Sequence, residues 1–365
     1  MTKVAAFEIE HSAFLDAEGR VLQALPHFAQ DPENLIALYR AMVLTRAFDA
    51  KAIALQRTGR LGTYGSSLGQ EAVAVGVGAA MAPEDVLLPS FREQGAQILR
   101  GVSMVELLLY WGGDERGSDF AGPRQDFPVC VPVGTHAPHA AGVALALQLR
   151  GAARVAVCVL GDGATSKGEV YEAMNFAGVR RLPLVFVVNN NQWAISVPRA
   201  QQSAAETLAQ KAIAAGFAGE QVDGNDVIAV REGVERAFAK ARAGGGPSLI
   251  EAVTYRLSDH TTADDASRYR DDAEVSAHWK QEPIARLRDY LVEAGHWSKD
   301  DEEALLAECS DKIEAATEEY LAIPPLPPHA MFDHLYAQLP RALAEQRDAL
   351  TREAPARSPA EEAAS

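Results

Sequence analysis

Short apolar runs alternate with helical patterns through the central part of the chain. Four runs lack the strict two-residue alternation of a sheet that faces solvent: DVLLP, RVAVCVL, LPLVFVV and PSLIEAVTY. Patterns typical of amphipathic helices, such as PHAAGVALALQLR and DVIAVREGVERAFAKARAGG, occur in the same region. Continuous apolar runs are typical of strands buried on both faces. We therefore predict an α/β fold with a mostly parallel sheet and helices on both faces.

Helical patterns also flank this region. Asp31, Pro32 and Glu33 form a good helix start, so a long amphipathic helix is expected from there. Residues 69–81, GQEAVAVGVGAAM, are also helical in pattern, and their small side chains would let another backbone come close. From residue 280 a helical pattern resumes, interrupted by IPPLPPHAM. The expected organisation is an N-terminal extension (1–30), an α/β domain (31–280), a helical C-terminal extension (281–350) and a disordered tail (351–365).

Composition excludes several classes of function. The 365 residues include 50 acidic and 34 basic side chains, for a formal net charge of −16. This excess of negative charge argues against binding to nucleic acid or to an anionic membrane. The three cysteines, Cys130, Cys158 and Cys309, lie far apart and have no metal-ligand spacing. Together with the lack of a signal-peptide pattern or a long apolar run, they predict a cytoplasmic protein.

The segment from Gly161 to Ser196 places an acid and an asparagine cluster at neighbouring strand ends. Asp162 stands in a glycine turn after the run RVAVCVL, and Asn191 follows the next run, LPLVFVV. A right-handed crossover would bring both to the same edge of a parallel sheet. A glycine turn at a helix N-terminus can bind phosphate, but a carboxylate beside phosphate requires a divalent cation between them. The pattern predicts a magnesium-bridged diphosphate.

These motifs have two other interpretations. A lone GDG turn or a lone Asn run is more often structural, because Gly, Asp and Asn favour turns. The conjunction of the two, separated by a strand–helix–strand unit, favours the ligand site. A dinucleotide site is disfavoured because the turn GDGATS lacks the third glycine of its fingerprint, and a Walker sequence does not occur.

These motifs resemble the thiamine-diphosphate motif and, more widely, one enzyme family. GRLGTYGSSLGQEA, PSFREQG, QVDGNDVIAV, GGGPSLIEAVTYR, DHTTADDASRYR and MFDHLYAQLP are each similar to a block of the alpha subunit of the decarboxylating component of 2-oxo acid dehydrogenase complexes, in the family's order. The pyruvate type is most similar, and the branched-chain type is the close alternative. The resemblance implies the thiamine-diphosphate-binding fold for residues 31–280.

The resemblance also implies site residues. Mg²⁺ would be bound by side-chain oxygens of Asp162 and Asn191 and by the main-chain carbonyl of Trp193. The residues implied to bind thiamine diphosphate are Phe91, Arg92, Val133, Gly161, Asp162, Gly163, Ala164, Asn191, Arg256 and His260. Phe91 replaces the Tyr usual in the family. His260 would act in acyl transfer, and Tyr64 and His136 are weaker catalytic candidates, His136 standing where a Gln is common.

The active-site loop, RLSDHTTADDASRYR, carries His260 and several charged neighbours. The resemblance implies that Arg256, Tyr269 and Arg270 order this loop by pairing with Asp264 and Asp265. An ion-pair network can position a loop even where each exposed pair adds little stability.

The resemblance finally implies partners and a reaction. A separate beta subunit would complete the site in an alpha-two beta-two heterotetramer, with helix 69–81 at a subunit contact. The substrate would be a 2-oxo acid, pyruvate first, whose acyl group passes to a lipoyl group of a dihydrolipoyl acyltransferase. An acetoin dehydrogenase alpha subunit and a non-catalytic scaffold are the remaining alternatives.

Overall fold

The computed structural model describes residues 1–353. Within these residues the chain divides into two compact units, Met1–Tyr320 and a second unit that begins at Leu321. The second unit contains a 3₁₀ helix, Pro328–Phe332, and the helix Arg341–Glu353. This helix includes the first three residues of the predicted tail, and the rest of that tail lies outside the described residues. The predicted division into domains stays a prediction.

A six-stranded parallel sheet forms the centre of the first unit. Its strands are β1 (His11–Ser12), β2 (Val86–Leu88), β3 (Ala156–Gly161), β4 (Leu184–Asn190), β7 (Ala218–Asp223) and β8 (Ser248–Val253). The spatial order is β1, β7, β8, β4, β3, β2. A two-stranded antiparallel ribbon, β5 (Trp193–Ala194) with β6 (Val197–Pro198), follows β4.

The helices of the first unit connect and cover these strands. They are α1 (Pro32–Arg57), α2 (Glu71–Ala80), α3 (Gln94–Leu99), α4 (Met104–Trp111), α5 (His136–Leu149), α6 (Gly168–Arg180), α7 (Arg199–Gln202), α8 (Lys211–Ala214), α9 (Val227–Arg242), α10 (Asp272–Trp279), α11 (Pro283–Glu293) and α12 (Lys299–Ala322), whose last two residues belong to the second unit. The predicted start of α1 is confirmed, because the Asp31 side chain accepts a hydrogen bond from the N–H of Glu33. Within residues 1–353, no helix is both long and apolar enough to span a bilayer.

Alternate residues of the central strands face two separate apolar cores. Val157 and Val185 pack in the core that includes residues of α1, α2 and α9. Cys158 and Phe186 pack in the opposite core, with residues of α5 and α6. Because both faces are buried, the strands consist of continuous apolar runs. The predicted α/β fold with helices on both faces is confirmed.

The glycine-rich helix α2 is buried by the chain itself. A Cβ on Gly76 would lie 2.6 Å from Val230 Cγ1 of α9, and one on Gly78 would lie 2.9 Å from Ala96 Cα of α3. Residues 71–78 are all buried. The predicted close approach of another helix is therefore confirmed. The hypothesis that this helix forms a subunit contact is wrong for residues 71–78, since α3 and α9 of the same chain cover its glycines.

Strand register determines where the site lies. Gly161 pairs with Asn189, so Asp162 and Asn191 both follow the carboxyl ends of adjacent strands. Beyond β8, the N–H of Arg256 donates to the carbonyl of Asn191 at 3.2 Å, which continues the strand pairing past the end of β4. The segment leading to His260 thus begins at the same edge of the sheet.

Candidate functional site

A cavity of about 230 Å³ opens at this carboxyl edge. Most residues that the sequence assigned to the cofactor and the metal line it: Phe91, Arg92, Val133, Gly161, Asp162, Gly163, Ala164, Asn191, Trp193 and His260. Arg256 is not among the lining residues, but its side chain contacts His260. The fold therefore brings together segments that follow β2, β3, β4 and β8.

Asp162 begins a 3₁₀ turn, Asp162–Ser166, that connects β3 to α6. The turn is held by Thr165, whose hydroxyl donates to the carbonyl of Asp162 at 2.7 Å. Its glycine permits close packing, because a Cβ on Gly163 would lie 2.8 Å from Ala194 Cβ. Among residues 1–353, Asp162 Oδ2 has no hydrogen-bond partner although it is buried. Burial raises the pKa of Asp162 to about 6.

The Asn cluster at the end of β4 alternates between two sides. Asn190 donates from Nδ2 to Glu251 Oε1 at 2.7 Å, on the side away from the cavity. Asn189 and Asn191 line the cavity. Asn191 Oδ1 accepts the N–H of Trp193 at 3.2 Å, and its Nδ2 donates to Gln70 Oε1 at 2.8 Å. The Asn191 oxygen retains a second lone pair that could coordinate a metal.

Arg92 joins three segments of the cavity wall. Its guanidinium donates to the carbonyl of Ser66 and, at 2.7 Å, to the carbonyl of His260. It also lies over the ring of Phe91, 4.9 Å from the ring centre. Burial, followed by the nearby charge of Arg256, lowers the pKa of Arg92 to about 10, so it remains a cation at neutral pH. Within residues 1–353 this buried guanidinium has no carboxylate partner at hydrogen-bond distance, so it is well suited to an anionic ligand.

His260 lies between two guanidinium groups. Its Nδ1 is 3.1 Å from Arg92 Nη2 and 3.5 Å from Arg256 Nη1. Guanidinium nitrogens can only donate, so Nδ1 is the acceptor and the neutral ring carries its proton on Nε2. Burial, with added repulsion from both arginines, lowers the pKa of His260 to about 4. At neutral pH the ring is therefore uncharged and offers one N–H donor.

The loop around His260 is ordered in part as predicted, through Asp264, Tyr269 and Arg256. Asp264 accepts the N–H of His260 at 2.9 Å and the hydroxyl of Tyr269, which in turn accepts from Arg256 Nη2 at 2.8 Å. Asp265 instead caps a 3₁₀ turn and pairs with Arg268 at 3.3 Å. The predicted pairing of Asp265 with Arg256, Tyr269 or Arg270 is therefore wrong.

Arg270 acts through backbone groups. It donates to the carbonyl oxygens of Arg256 and, at 3.0 Å, of Ser258. These bonds hold the start of the loop against the end of β8. The prediction that Arg270 binds the acids of the loop is wrong, because its donors are used on main-chain carbonyls.

The structure does not bring Tyr64 and His136 to the cavity. The Tyr64 hydroxyl donates to Asp49 Oδ1 at 3.0 Å, and the residue is fully buried. His136 begins α5 and its Nε2 donates to the carbonyl of Val159 in β3 at 2.7 Å. Both side chains hold the scaffold behind the site. Their predicted catalytic contact with substrate is not supported by these positions.

Seven of the described residues that line the cavity were missed by sequence reasoning: Gln70, Ser90, Glu93, Gly134, Asn189, Ala194 and Ile195. Gln70 and Glu93 stand in the blocks GQEA and FREQG, whose neighbours carried the family resemblance. The Glu93 carboxylate accepts the N–H of Arg92 at 3.2 Å, and burial raises the pKa of Glu93 to about 7. Alternation along β4 would have identified Asn189, two positions before Asn191.

A comparison with known protein families shows which family the chain belongs to. The sequence model of the family described as Dehydrogenase E1 component matches residues 39–329. This chain belongs to that family. The Asp162 turn, the Asn191 turn and the His260 loop of this E1 chain all lie inside the matched segment.

Relatives of the E1 chain are similar over nearly their whole length. It is 42% identical over 337 residues to the 3-methyl-2-oxobutanoate dehydrogenase subunit alpha of Mycobacterium tuberculosis (strain ATCC 25618 / H37Rv), covering 92% of this chain and 90% of the relative. It is 40% identical over 341 residues to the pyruvate dehydrogenase E1 component subunit alpha of Acholeplasma laidlawii, covering 91% and 96%. The same subunit of Staphylococcus aureus (strain COL) is 39% identical over 342 residues, covering 93% and 92%.

Proposed function

We propose that this E1 chain is the alpha subunit of a pyruvate dehydrogenase. It would carry out the thiamine-diphosphate-dependent oxidative decarboxylation of pyruvate and transfer the acetyl group to a lipoyl group of a dihydrolipoyl acyltransferase. The Dehydrogenase E1 family is thiamine-diphosphate dependent. The observation that carries the proposal is the buried oxygen of Asp162, which has no hydrogen-bond partner in the described part of the chain, in a cavity that Arg92 also lines.

The donor set fits a divalent cation that is shared with a phosphorylated ligand. Among the described residues, no group of three or more His, Cys, Asp or Glu side chains could hold a metal. Asp162 therefore needs oxygens from Asn191, from the Trp193 carbonyl and from the ligand to complete the six that Mg²⁺ prefers. A diphosphate supplies such oxygens. Its charge would also be met by Arg92 and by the N–H groups of Gly163 and Ala164.

The cofactor would accept electrons during the reaction, and residues of the chain would bind the cofactor and donate a proton. When bound, thiamine diphosphate supplies the electron-accepting ring that allows carbon dioxide to leave a 2-oxo acid. Val133, which lines the cavity, would hold the cofactor through its carbonyl. His260 would use Nε2–H to donate to the reacting acyl group, because Nδ1 is already occupied by two arginines. Arg256 does not line the cavity and would act by positioning His260.

The partners follow from the relatives' names, which describe alpha subunits of multi-component enzymes. We propose a separate beta subunit in an alpha-two beta-two heterotetramer and an acyltransferase core that presents its lipoyl domain. The beta subunit would supply the carboxylate that activates the aminopyrimidine of the cofactor. The cytoplasmic location expected from the sequence stays a prediction.

The branched-chain reaction is a second candidate, because relatives named for 3-methyl-2-oxobutanoate are 42% identical to this chain. Relatives named for pyruvate are 37–40% identical over a similar share of it. The test is to purify the chain with its beta subunit and compare turnover of pyruvate, 3-methyl-2-oxobutanoate and acetoin with Mg²⁺ and thiamine diphosphate. We expect pyruvate to have the highest kcat/KM. Failure to bind thiamine diphosphate would instead support a non-catalytic scaffold.

A further inference from the structure

The side-chain amide of Gln70 is buried in the cavity wall beside Asn191. Gln70 stands immediately before α2, is fully buried and lines the cavity. Its Oε1 accepts a hydrogen bond from Asn191 Nδ2 at 2.8 Å. Its Nε2 has no partner in the part of the chain that the structure describes. Buried amide donors are nearly always paired, so a donor of this kind in a cavity wall points to a ligand that accepts from it.

Hydrogen bonds fix which end of each amide is the oxygen. The N–H of Trp193 donates to one end of the Asn191 amide at 3.2 Å, and a backbone N–H can only donate, so this end is Oδ1. The other end, Nδ2, therefore faces Gln70, whose facing atom must be the acceptor Oε1. Gln70 Nε2 is then the free end. Flipping either amide would place two donors against each other.

We propose that Gln70 is a further cofactor-binding residue whose Nε2 donates to an oxygen of the diphosphate of thiamine diphosphate. The proposal rests on the proposed function. Gln70 is hydrogen-bonded directly to Asn191, a proposed metal ligand, and diphosphate oxygens are the acceptors that the cofactor would bring to that metal. The same side chain holds Asn191 with its oxygen turned toward Trp193. Gln70 Oε1 thus orients Asn191, and Gln70 Nε2 binds the diphosphate of the cofactor.

The test measures thiamine diphosphate affinity in the complex of this chain with its beta subunit. Trp193 lines the cavity, so its fluorescence reports binding without turnover. Gln70→Met removes both hydrogen bonds, whereas Gln70→Glu keeps an acceptor for Asn191 but places a carboxylate against the diphosphate. We expect both variants to bind about 10- to 100-fold more weakly at fixed Mg²⁺.

Gln97→Glu is the matched control. Gln97 in α3 is also buried with an Nε2 that lacks a partner within residues 1–353, but it does not line the cavity. This variant should retain full thiamine diphosphate affinity. Thermal unfolding and gel filtration establish that each variant folds and assembles, and Gln70→Met provides the test if Gln70→Glu fails to assemble.

Two outcomes are decisive and distinguishable. If the folded Gln70 variants bind thiamine diphosphate as tightly as the unchanged complex, the role of Gln70 is wrong and the proposed function stands. If the unchanged complex itself fails to bind thiamine diphosphate with Mg²⁺, the proposed function fails, and the inference about Gln70 fails with it.

Discussion

Asp162→Asn should stabilise the cofactor-free protein while it abolishes cofactor binding. The substitution preserves side-chain size and removes the negative charge from a buried position. Burial raises the pKa of Asp162 from its ordinary 3.8 to about 6. A shift of this size corresponds to at most about 3 kcal/mol of unfavourable free energy for the ionised form in the folded state. An uncharged amide avoids this cost, but it is a weaker ligand for Mg²⁺ than a carboxylate because it brings no negative charge to the cation.

The pH dependence follows from the direction of the shift. Below pH 3.8 the carboxyl is protonated in both the folded and unfolded states, so the substitution should gain nothing there. The unchanged protein loses stability relative to the variant as the pH rises from 3.8 toward 6. Above this pH range the difference in stability between Asp162→Asn and the unchanged protein reaches its full value. Urea unfolding of the cofactor-free chain at about pH 4 and at neutral pH measures the difference directly.

Asp226→Asn is the control that tests whether removing the charge of any buried aspartate stabilises the protein. Asp226 and Asp162 are each 1% exposed, and burial raises the pKa of both. Asp226 Oδ2 accepts the N–H groups of Phe14 and Leu15 at 2.7 and 2.9 Å, and its Oδ1 accepts from Ile228 at 2.9 Å. The side-chain NH₂ of an asparagine there would face a backbone N–H, which is also a donor. This variant should therefore lose about 1–3 kcal/mol of unfolding free energy.

Two results would refute the reasoning about Asp162. If Asp162→Asn binds thiamine diphosphate normally at ordinary Mg²⁺, Asp162 is not a metal ligand. If the variant is less stable than the unchanged chain at neutral pH, its carboxylate has a stabilising partner and is not held at a cost. Calorimetric titration with thiamine diphosphate and the urea midpoints decide between these outcomes.

Three further substitutions test other parts of the site. His260→Ala should retain cofactor binding but slow acetyl transfer to a lipoyl domain by about 100-fold or more, since it removes the Nε2 donor; an unchanged transfer rate would limit His260 to loop structure. Arg92→Lys should weaken thiamine diphosphate binding by about tenfold, because an ammonium cannot hold Ser66 and His260 in a planar fork, and equal calorimetric affinities would contradict this. Tyr64→Phe should cost about 1 kcal/mol of stability in thermal unfolding, through lost contact with Asp49, and leave kcat unchanged; a large fall in kcat would restore Tyr64 as a catalytic residue.

Four neighbouring strands, β2, β3, β4 and β8, could be predicted because each is an uninterrupted apolar run between buried faces. The two strands at the opposite edge of the sheet could not. The strand Ala218–Asp223 is mostly polar and half-exposed, and its neighbour is the two-residue strand His11–Ser12. Neither has the pattern of a buried strand, and their pairing depends on contacts between residues about 210 positions apart in sequence.

Within the cavity wall, positions that depend on local turns could be predicted from the sequence, whereas the contacts that place Tyr64 and Gln70 could not. Asp162 and Asn191 directly follow strand ends, so their positions depend on short-range geometry. Tyr64 is placed by Asp49 of α1, and the sequence contains no signal for that contact. Gln70 was missed because its role depends on the orientation of an amide in another segment. Sequence spacing does not encode amide orientation.

The Arg92 guanidinium couples ligand binding to the conformation of the segment around His260, because it donates to the carbonyl oxygens of Ser66 and His260. A ligand that competes for its N–H groups changes the free energy of the segment around His260. By reciprocity, a protein that docks on this segment and fixes its conformation changes the affinity for that ligand by the same factor. Occupancy of the cavity and the conformation of the segment around His260 are therefore two readouts of one equilibrium.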